Sequence, residues 1–232
     1  MKYFFTILVI IIITGYTAYS QSTHLWFDYF GYPVQDIAWD YELNIGYDYQ
    51  LPAGGWSDLY LDNTVTYQKL NWLTFAASLE LHFTTDLEYY SSVEIRPWLM
   101  TTVRWTSFIE NIFQPYIAAR IESRNILYKN EELNQHKFRL RLRAGTRFLI
   151  NNTDMSVGTI YIPFRIEVFV DLGESATEKY AHRSRFMAGL GYVFSSAFRA
   201  EINYYINGSR NTLKENFTQT DQIFQLAFKH YF

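Results

Sequence analysis

Lys137 to Leu149, KFRLRLRAGTRFL, decides the fold. Arg139, Arg141, Arg143 and Arg147 stand at alternate positions, and Phe138, Leu140, Leu142 and Phe148 fall in the other phase. On a helix, at about 100° per residue, these arginines would spread around the circumference and leave no apolar face. On a strand successive side chains point to opposite sides, so one face is cationic and the other apolar. The stretch is a strand, and what its apolar face looks at depends on the rest of the 232-residue chain.

The first twenty residues stand apart. Met1-Lys2 makes a short positive start, and Phe4 to Ile13 is an apolar run too short to span a bilayer comfortably. Ala18-Tyr19-Ser20 then offers the small residues that a signal peptidase reads. Residues 1–20 are therefore expected to be an export signal cut after Ser20, with passage through the general secretory route. Cysteine is absent from the chain, which excludes a lipoprotein anchor and a disulfide framework.

Aromatic residues make up 19 % of the chain, yet mean hydropathy is only −0.15. After residue 20 no window approaches the roughly 20 apolar residues of a spanning helix. Balanced hydropathy, many aromatics and an export signal together predict a transmembrane barrel, whose strands alternate lipid-facing and lumen-facing residues. The net charge of −3 is too small to point to nucleic acid.

The alternation recurs along the chain. Ile37 to Leu51 sets Ile37, Trp39, Tyr41, Leu43, Ile45, Tyr47 and Tyr49 against Asp40, Glu42, Asn44 and Asp48. Further strands are predicted at 59–69, 73–83, 90–105, 113–124, 137–149, 160–172, 182–194, 198–206 and 222–232, which gives ten. Links near 70–71, 106–112, 151–158 and 195–197 are short; those at 52–58, 84–89, 125–136, 173–181 and 207–220 are longer and polar. Barrels of the bacterial outer membrane carry short periplasmic turns and longer external loops, so the longer links are expected outside. His24 to Tyr32 is aromatic but alternates poorly, and an eleventh strand would break the even count of such barrels. Residues 21–36 are accordingly expected to form an irregular N-terminal segment, with 37–232 as an all-β, antiparallel up-and-down barrel; twelve strands is the alternative.

Phe224, Leu226, Phe228 and the terminal Phe232 resemble the C-terminal signal that outer-membrane barrels present to their assembly machinery, with His230 where that signal usually has a hydrophobic residue. More broadly the chain resembles the family called domain of unknown function 2490. The likeness rests on Trp26, on Arg139-Leu140-Arg141-Leu142-Arg143, on Phe164-Arg165-Ile166-Glu167-Val168-Phe169, and on Arg183-Ser184-Arg185 leading into Gly189-Leu190-Gly191-Tyr192. It implies an outer-membrane barrel, in contact with membrane lipid and with the assembly machinery during insertion, and no particular reaction.

By strand phase the lumen receives more cations than carboxylates. The candidate network is Arg120, Glu122, Arg124, Arg139, Arg141, Arg143, Arg147, Arg165, Glu167, Asp171, Arg183, Arg185 and Glu201. The arginine strand should be paired laterally, with Glu122 on one neighbour and Glu167 with Asp171 on the other, because planar guanidinium grips carboxylates in bidentate fashion. Three readings follow. The charges fill and brace a narrow, largely occluded lumen; or they line a small anion-selective path; or the chain modifies lipid through His182 and Ser184. That pair is similar to the His-x-Ser pair of the outer-membrane lipid A deacylase, although a carboxylate to orient the histidine is not in phase. No metal-ligand cluster or phosphate-binding glycine loop occurs, so no metal or cofactor is expected. Arginines on a strand with an apolar back cannot form an external nucleic-acid patch.

Overall fold

A computed structural model describes residues 22–36, 38–51, 55–86, 91–105, 112–129, 131–172, 182–210 and 218–232. The expected export signal lies outside the described residues. Eleven strands follow one another: β1 (Ser22–Gln35), β2 (Trp39–Leu51), β3 (Ser57–Leu70), β4 (Leu73–Thr85), β5 (Ser92–Arg104), β6 (Phe113–Tyr128), β7 (Gln135–Leu149), β8 (Ile160–Leu172), β9 (His182–Val193), β10 (Phe198–Arg210) and β11 (Thr218–Tyr231). Each pairs antiparallel with its chain neighbour, and the sheet closes into a barrel. Among the described residues the only helical turn is Glu131–Leu133, and no helix is long and apolar enough to cross a membrane.

The barrel corrects two expectations. Residues 22–35 are a regular strand rather than an irregular segment, and the count is eleven rather than ten or twelve. An odd number of antiparallel strands leaves the first and last running the same way. Closure is therefore parallel, with β1 and β11 in register from Ser22↔Asp221 to Tyr32↔Tyr231. The alternation of β1 was obscured by its own packing. Trp26, an aromatic in the same phase as buried Asp28, packs against Met187, Tyr205 and Ile223. Nearer the end, the register of β1 against β2 shifts between Gly31 and Val34, around Pro33. A proline has no N–H to give to a ladder, and a bulge is where a strand tolerates one.

Side-chain direction follows the predicted phases. Each of β1 to β10 sends apolar residues outward, among them Phe27, Ile45, Leu59, Leu79, Leu99, Ile117, Leu142, Ile166, Leu190 and Ile202, with Leu99 61 % and Ile202 65 % exposed. Inward lie Asp28, Asn44, Asp48, Thr64, Glu80, Glu94, Arg96, Glu122, Arg139, Glu167 and Glu201, all buried. The core of this protein is thus polar and its surface apolar.

The two ends differ. One carries the links 36–38, 71–72, 105–112, 150–159 and 194–197 with the end of β11; the other carries 52–56, 86–91, 129–134, 173–181 and 211–217. Link 150–159 is long but ordered. Asn152 donates to Thr159 Oγ1 (2.7 Å), Gly158 takes a left-handed φ of 86°, and Met155 packs on Leu149, Tyr161 and Val193. That link folds back over the ends of β7, β8 and β9.

Candidate functional site

The interior holds one connected ion-pair network that crosses six adjacent strands. It starts at Asp58 on β3, whose carboxylate lies 2.6 Å from His82 Nδ1 on β4; His82 Nε2 lies 3.1 Å from Glu80. Glu80 also takes Arg96 (3.2 Å) and Arg120 (2.6 Å), and Arg96 leads on to Glu94, which Arg124 grips with both Nε (2.7 Å) and Nη2 (2.8 Å). Arg120 continues to Glu122 at 2.7 Å. Glu122 holds Arg139 at 2.5 Å and stands 3.7 Å from Arg141. Arg141 reaches Glu167 at 2.6 Å, and Glu167 also receives Arg143 (2.6 Å) and Arg165 (3.0 Å).

Antiparallel register explains why these groups meet. Glu80 faces Arg96, Arg120 faces Arg141, Glu122 faces Arg139, and Arg143 faces Glu167 across neighbouring strands. Cross-strand neighbours are the closest side chains in a sheet. Glu122 and Glu167 are 0 % exposed, and each serves arginines on its own strand and on β7, which lies between them. A buried carboxylate persists only where such partners surround it.

Aromatic side chains in the inward phase lie beneath several of the guanidinium groups. Arg120 lies 4.1 Å over Trp98, and Phe169 carries Arg139 (5.0 Å), Arg141 (4.9 Å) and Arg185 (5.5 Å). Cation–π contact of this kind strengthens as water is removed. Trp98 and Phe169 share the phase of Arg96 and of Glu167, so alternation could have flagged them; reading charges alone passed over them.

The remaining candidates are placed as follows. Asp171 faces Arg139 in register, but Arg139 turns instead to Glu122, so the expected pairing with Asp171 does not form. Arg147 lies over Tyr161 at 5.5 Å, and Glu201 accepts from Tyr161 (2.8 Å) and Lys229 (2.5 Å), apart from the main network. Arg183 lies inward in the phase of Arg185, and Arg185 donates to Asn207 Oδ1 at 2.9 Å. Ser184 faces Val168 and Gly208 across its two neighbours, with no carboxylate beside it among them, and the side chain of His182 is outside the described residues. Phe224 packs on Tyr204 and Phe228 on Phe198, while Phe232 is exposed and stacks on His230.

Sequence reading also missed the hydrogen bonds of the seam. Ser22 Oγ lies 3.2 Å from His24 Nε2, and His24 Nδ1 lies 2.9 Å from Asp48. The geometry looks like a nucleophile, base and orienter, but Ser22 donates its proton to Asp221 at 2.6 Å. A carboxylate against the hydroxyl opposes the negative charge an acyl-transfer intermediate would build there. These residues clasp β1 to β2 and β11. Beside them, Tyr60 and Gln225 donate to Asp28, which is possible because Gly46 leaves the space that a side chain would take from Tyr60.

Two chambers remain in the lumen. The one toward the shorter links measures about 570 Å³ and includes Arg104, Gln114, Tyr116, Arg147, Glu201 and Lys229 in its lining. The other, toward the end with links 52–56 and 86–91, measures about 550 Å³ and is lined by Trp26, Asp28, Asp48, Asp58, Asp62 and Arg185 among others. Met100, Arg104, Arg143 and Arg165 line both, so the chambers adjoin at the layer where Glu167 holds Arg143 and Arg165. Among the described residues no group of His, Asp and Glu could hold a metal ion.

The model of a family described as Protein of unknown function (DUF2490) matches residues 23–218. The chain belongs to this family. The DUF2490 match begins inside β1 and runs to the first residue of β11, so it takes in the whole ion-pair network. No curated protein and no solved structure matches the chain.

Proposed function

We propose that this DUF2490 chain is an integral barrel of the bacterial outer membrane, structural or accessory in role, whose lumen is braced and divided by its charge network. One observation carries the reading: a closed barrel with charges inside and apolar side chains outside on strand after strand. In water such an exterior would be an exposed apolar surface far beyond what soluble monomers tolerate. The strands, 12 to 16 residues long, exceed the roughly 9–11 residues needed to cross a bilayer at a tilt. The export signal at residues 1–20 and the C-terminal Phe224, Leu226, Phe228 and Phe232 support the same location, with delivery by the barrel-assembly machinery. Fractionation of a Gram-negative host tests it. Recovery with the outer membrane, as a band that migrates differently before and after boiling, is the expected result; recovery as a soluble periplasmic protein would overturn it.

A second reading is an anion-selective path. It is favoured by the charge excess on β6 to β9, where Arg120, Arg124, Lys137, Arg139, Arg141, Arg143, Arg147, Arg165, Arg183 and Arg185 accompany only Glu122, Glu167 and Asp171. Rings of cations favour anions in selective pores. The layer tied by Glu167 argues for the braced lumen over this alternative. A lipid-modifying role through Ser184 is disfavoured because its register partners among the described residues, Val168 and Gly208, supply no carboxylate for a triad.

A further inference from the structure

The charges of the lumen are segregated by wall. Strands β1 to β4 carry Asp28, Asp40, Glu42, Asp48, Asp58, Asp62 and Glu80, no arginine, and of the lysines only Lys69. Strands β5 to β10 carry the arginines. The network joins the two walls through Glu80, but it leaves charge uncompensated on each side of the chamber that Asp28 and Arg185 both line.

On the acidic side, Asp28 accepts from the neutral donors Tyr60, Gln225 and Asn44, and Asp62 from Ser78 and Thr64. Among the described residues neither forms an ion pair with a lysine, arginine or histidine. Arg185, which lines the same chamber from β9, has an amide partner, Asn207, and three aromatic faces, Trp26 (5.0 Å), Phe169 (5.5 Å) and Tyr205 (5.6 Å), but among the described residues no carboxylate ion pair. Glu167, which it faces in register, is already shared by Arg141, Arg143 and Arg165. Buried charges of opposite sign that line one chamber without ionic partners are costly. A single small molecule carrying both signs would compensate both. An independent observation marks the same chamber. Asn44 Oδ1 and Trp98 Nε1 line it without hydrogen-bond partners, and the two residues are only 8 % and 6 % exposed.

We propose that this chamber binds a small zwitterionic solute, its cationic group toward Asp28 and Asp62 and its anionic group toward Arg185. Trp26 and Tyr205, whose rings lie 5.4 Å apart next to Arg185, floor the gap between the poles. The Tyr205 hydroxyl donates to Gln225, which in turn donates to Asp28, so the two poles are held at a set separation by one hydrogen-bonded bridge. The transverse field between acidic and basic walls orients a dipolar solute and repels neither of its ends, whereas a simple ion meets one repulsive wall. The inference rests on the divided lumen proposed above.

Titration calorimetry on the full barrel, refolded in zwitterion-free detergent, tests it with ω-amino acids of increasing chain length. Matched alkyl carboxylates and alkylammonium salts serve as singly charged comparisons. One range of lengths is expected to bind at least roughly tenfold more tightly than either comparison, the effect of losing one desolvated charge contact. Asp28→Asn and Arg185→Gln should each abolish that advantage, and Arg185→Lys should keep part of it. The boiling-dependent band shift reports folding of every variant; if one fails to fold, Asp62→Asn takes its place. Equal binding of carboxylates alone would overturn the proposal and make the chamber an anion site. No binding by folded wild-type barrel would also overturn it, while leaving lumen closure, which conductance measures separately, untouched.

Discussion

The wall from β4 to β8 and the wall from β9 through β11 to β2 enclose the same lumen by different means. The first is held by guanidinium–carboxylate pairs stacked on Trp98 and Phe169. The second has the Lys229–Glu201 pair but otherwise relies mainly on neutral donors: Tyr205 and Asn203 to Gln225, Gln225 and Tyr60 to Asp28, Ser22 to Asp221. The difference follows from strand order. Interior strands of the antiparallel run find charged partners directly across from them. The parallel seam of β1 and β11 joins chain segments about two hundred positions apart, and there uncharged hydrogen bonds set the register. A barrel can thus be rigid on one side through charge and closed on the other through polar side chains that carry little net charge.

The largest effect that separates the walls is expected at Glu167. Glu167→Ala strands Arg141, Arg143 and Arg165 and should cost about 3–5 kcal/mol, read as a lower urea midpoint of the refolded barrel by tryptophan fluorescence. A loss under about 1 kcal/mol would mean the network is not bracing the wall. Glu122→Ala should be comparably severe, and the double variant less than additive, since both carboxylates share Arg141. On the seam side, Gly46→Ala should cost less, about 1–3 kcal/mol, by driving Tyr60 off Asp28. Tyr60→Phe in an otherwise unchanged barrel should cost about 1 kcal/mol by the same urea titration. Smallest of all, Ser184→Ala should change stability by less than about 0.5 kcal/mol and leave lipid A acylation in expressing cells unaltered; a changed acylation pattern would revive the lipid-modifying reading.

Strand periodicity was a sound guide wherever the inward phase was uniformly polar. From β2 to β10 it separated outward leucines and isoleucines from inward charges, and it brought Arg139 and Glu122 to one face before any coordinates. It failed at β1 because Trp26 and Phe30 fall in the phase of Asp28, and because the register slips near Pro33. The expectation of an even strand count then weighed against the correct reading. Local pattern also could not choose among partners. Asp171 and Glu122 both face Arg139 in register, and only the three-dimensional reach of the guanidinium decides for Glu122. Asp58 and Asp28 escaped notice for a related reason: each lay outside or at the edge of a predicted strand, while their importance comes from His82 and Gln225, distant in sequence.

In the proposed function the charge network divides and closes the lumen rather than lining an open path. Recording from single barrels in a planar bilayer tests it most directly. A divided lumen predicts no steady conductance from the wild-type protein, with leak appearing in Glu167→Ala as the shared layer loosens. Steady wild-type conductance with anion preference, lost in Arg141→Glu, would contradict it.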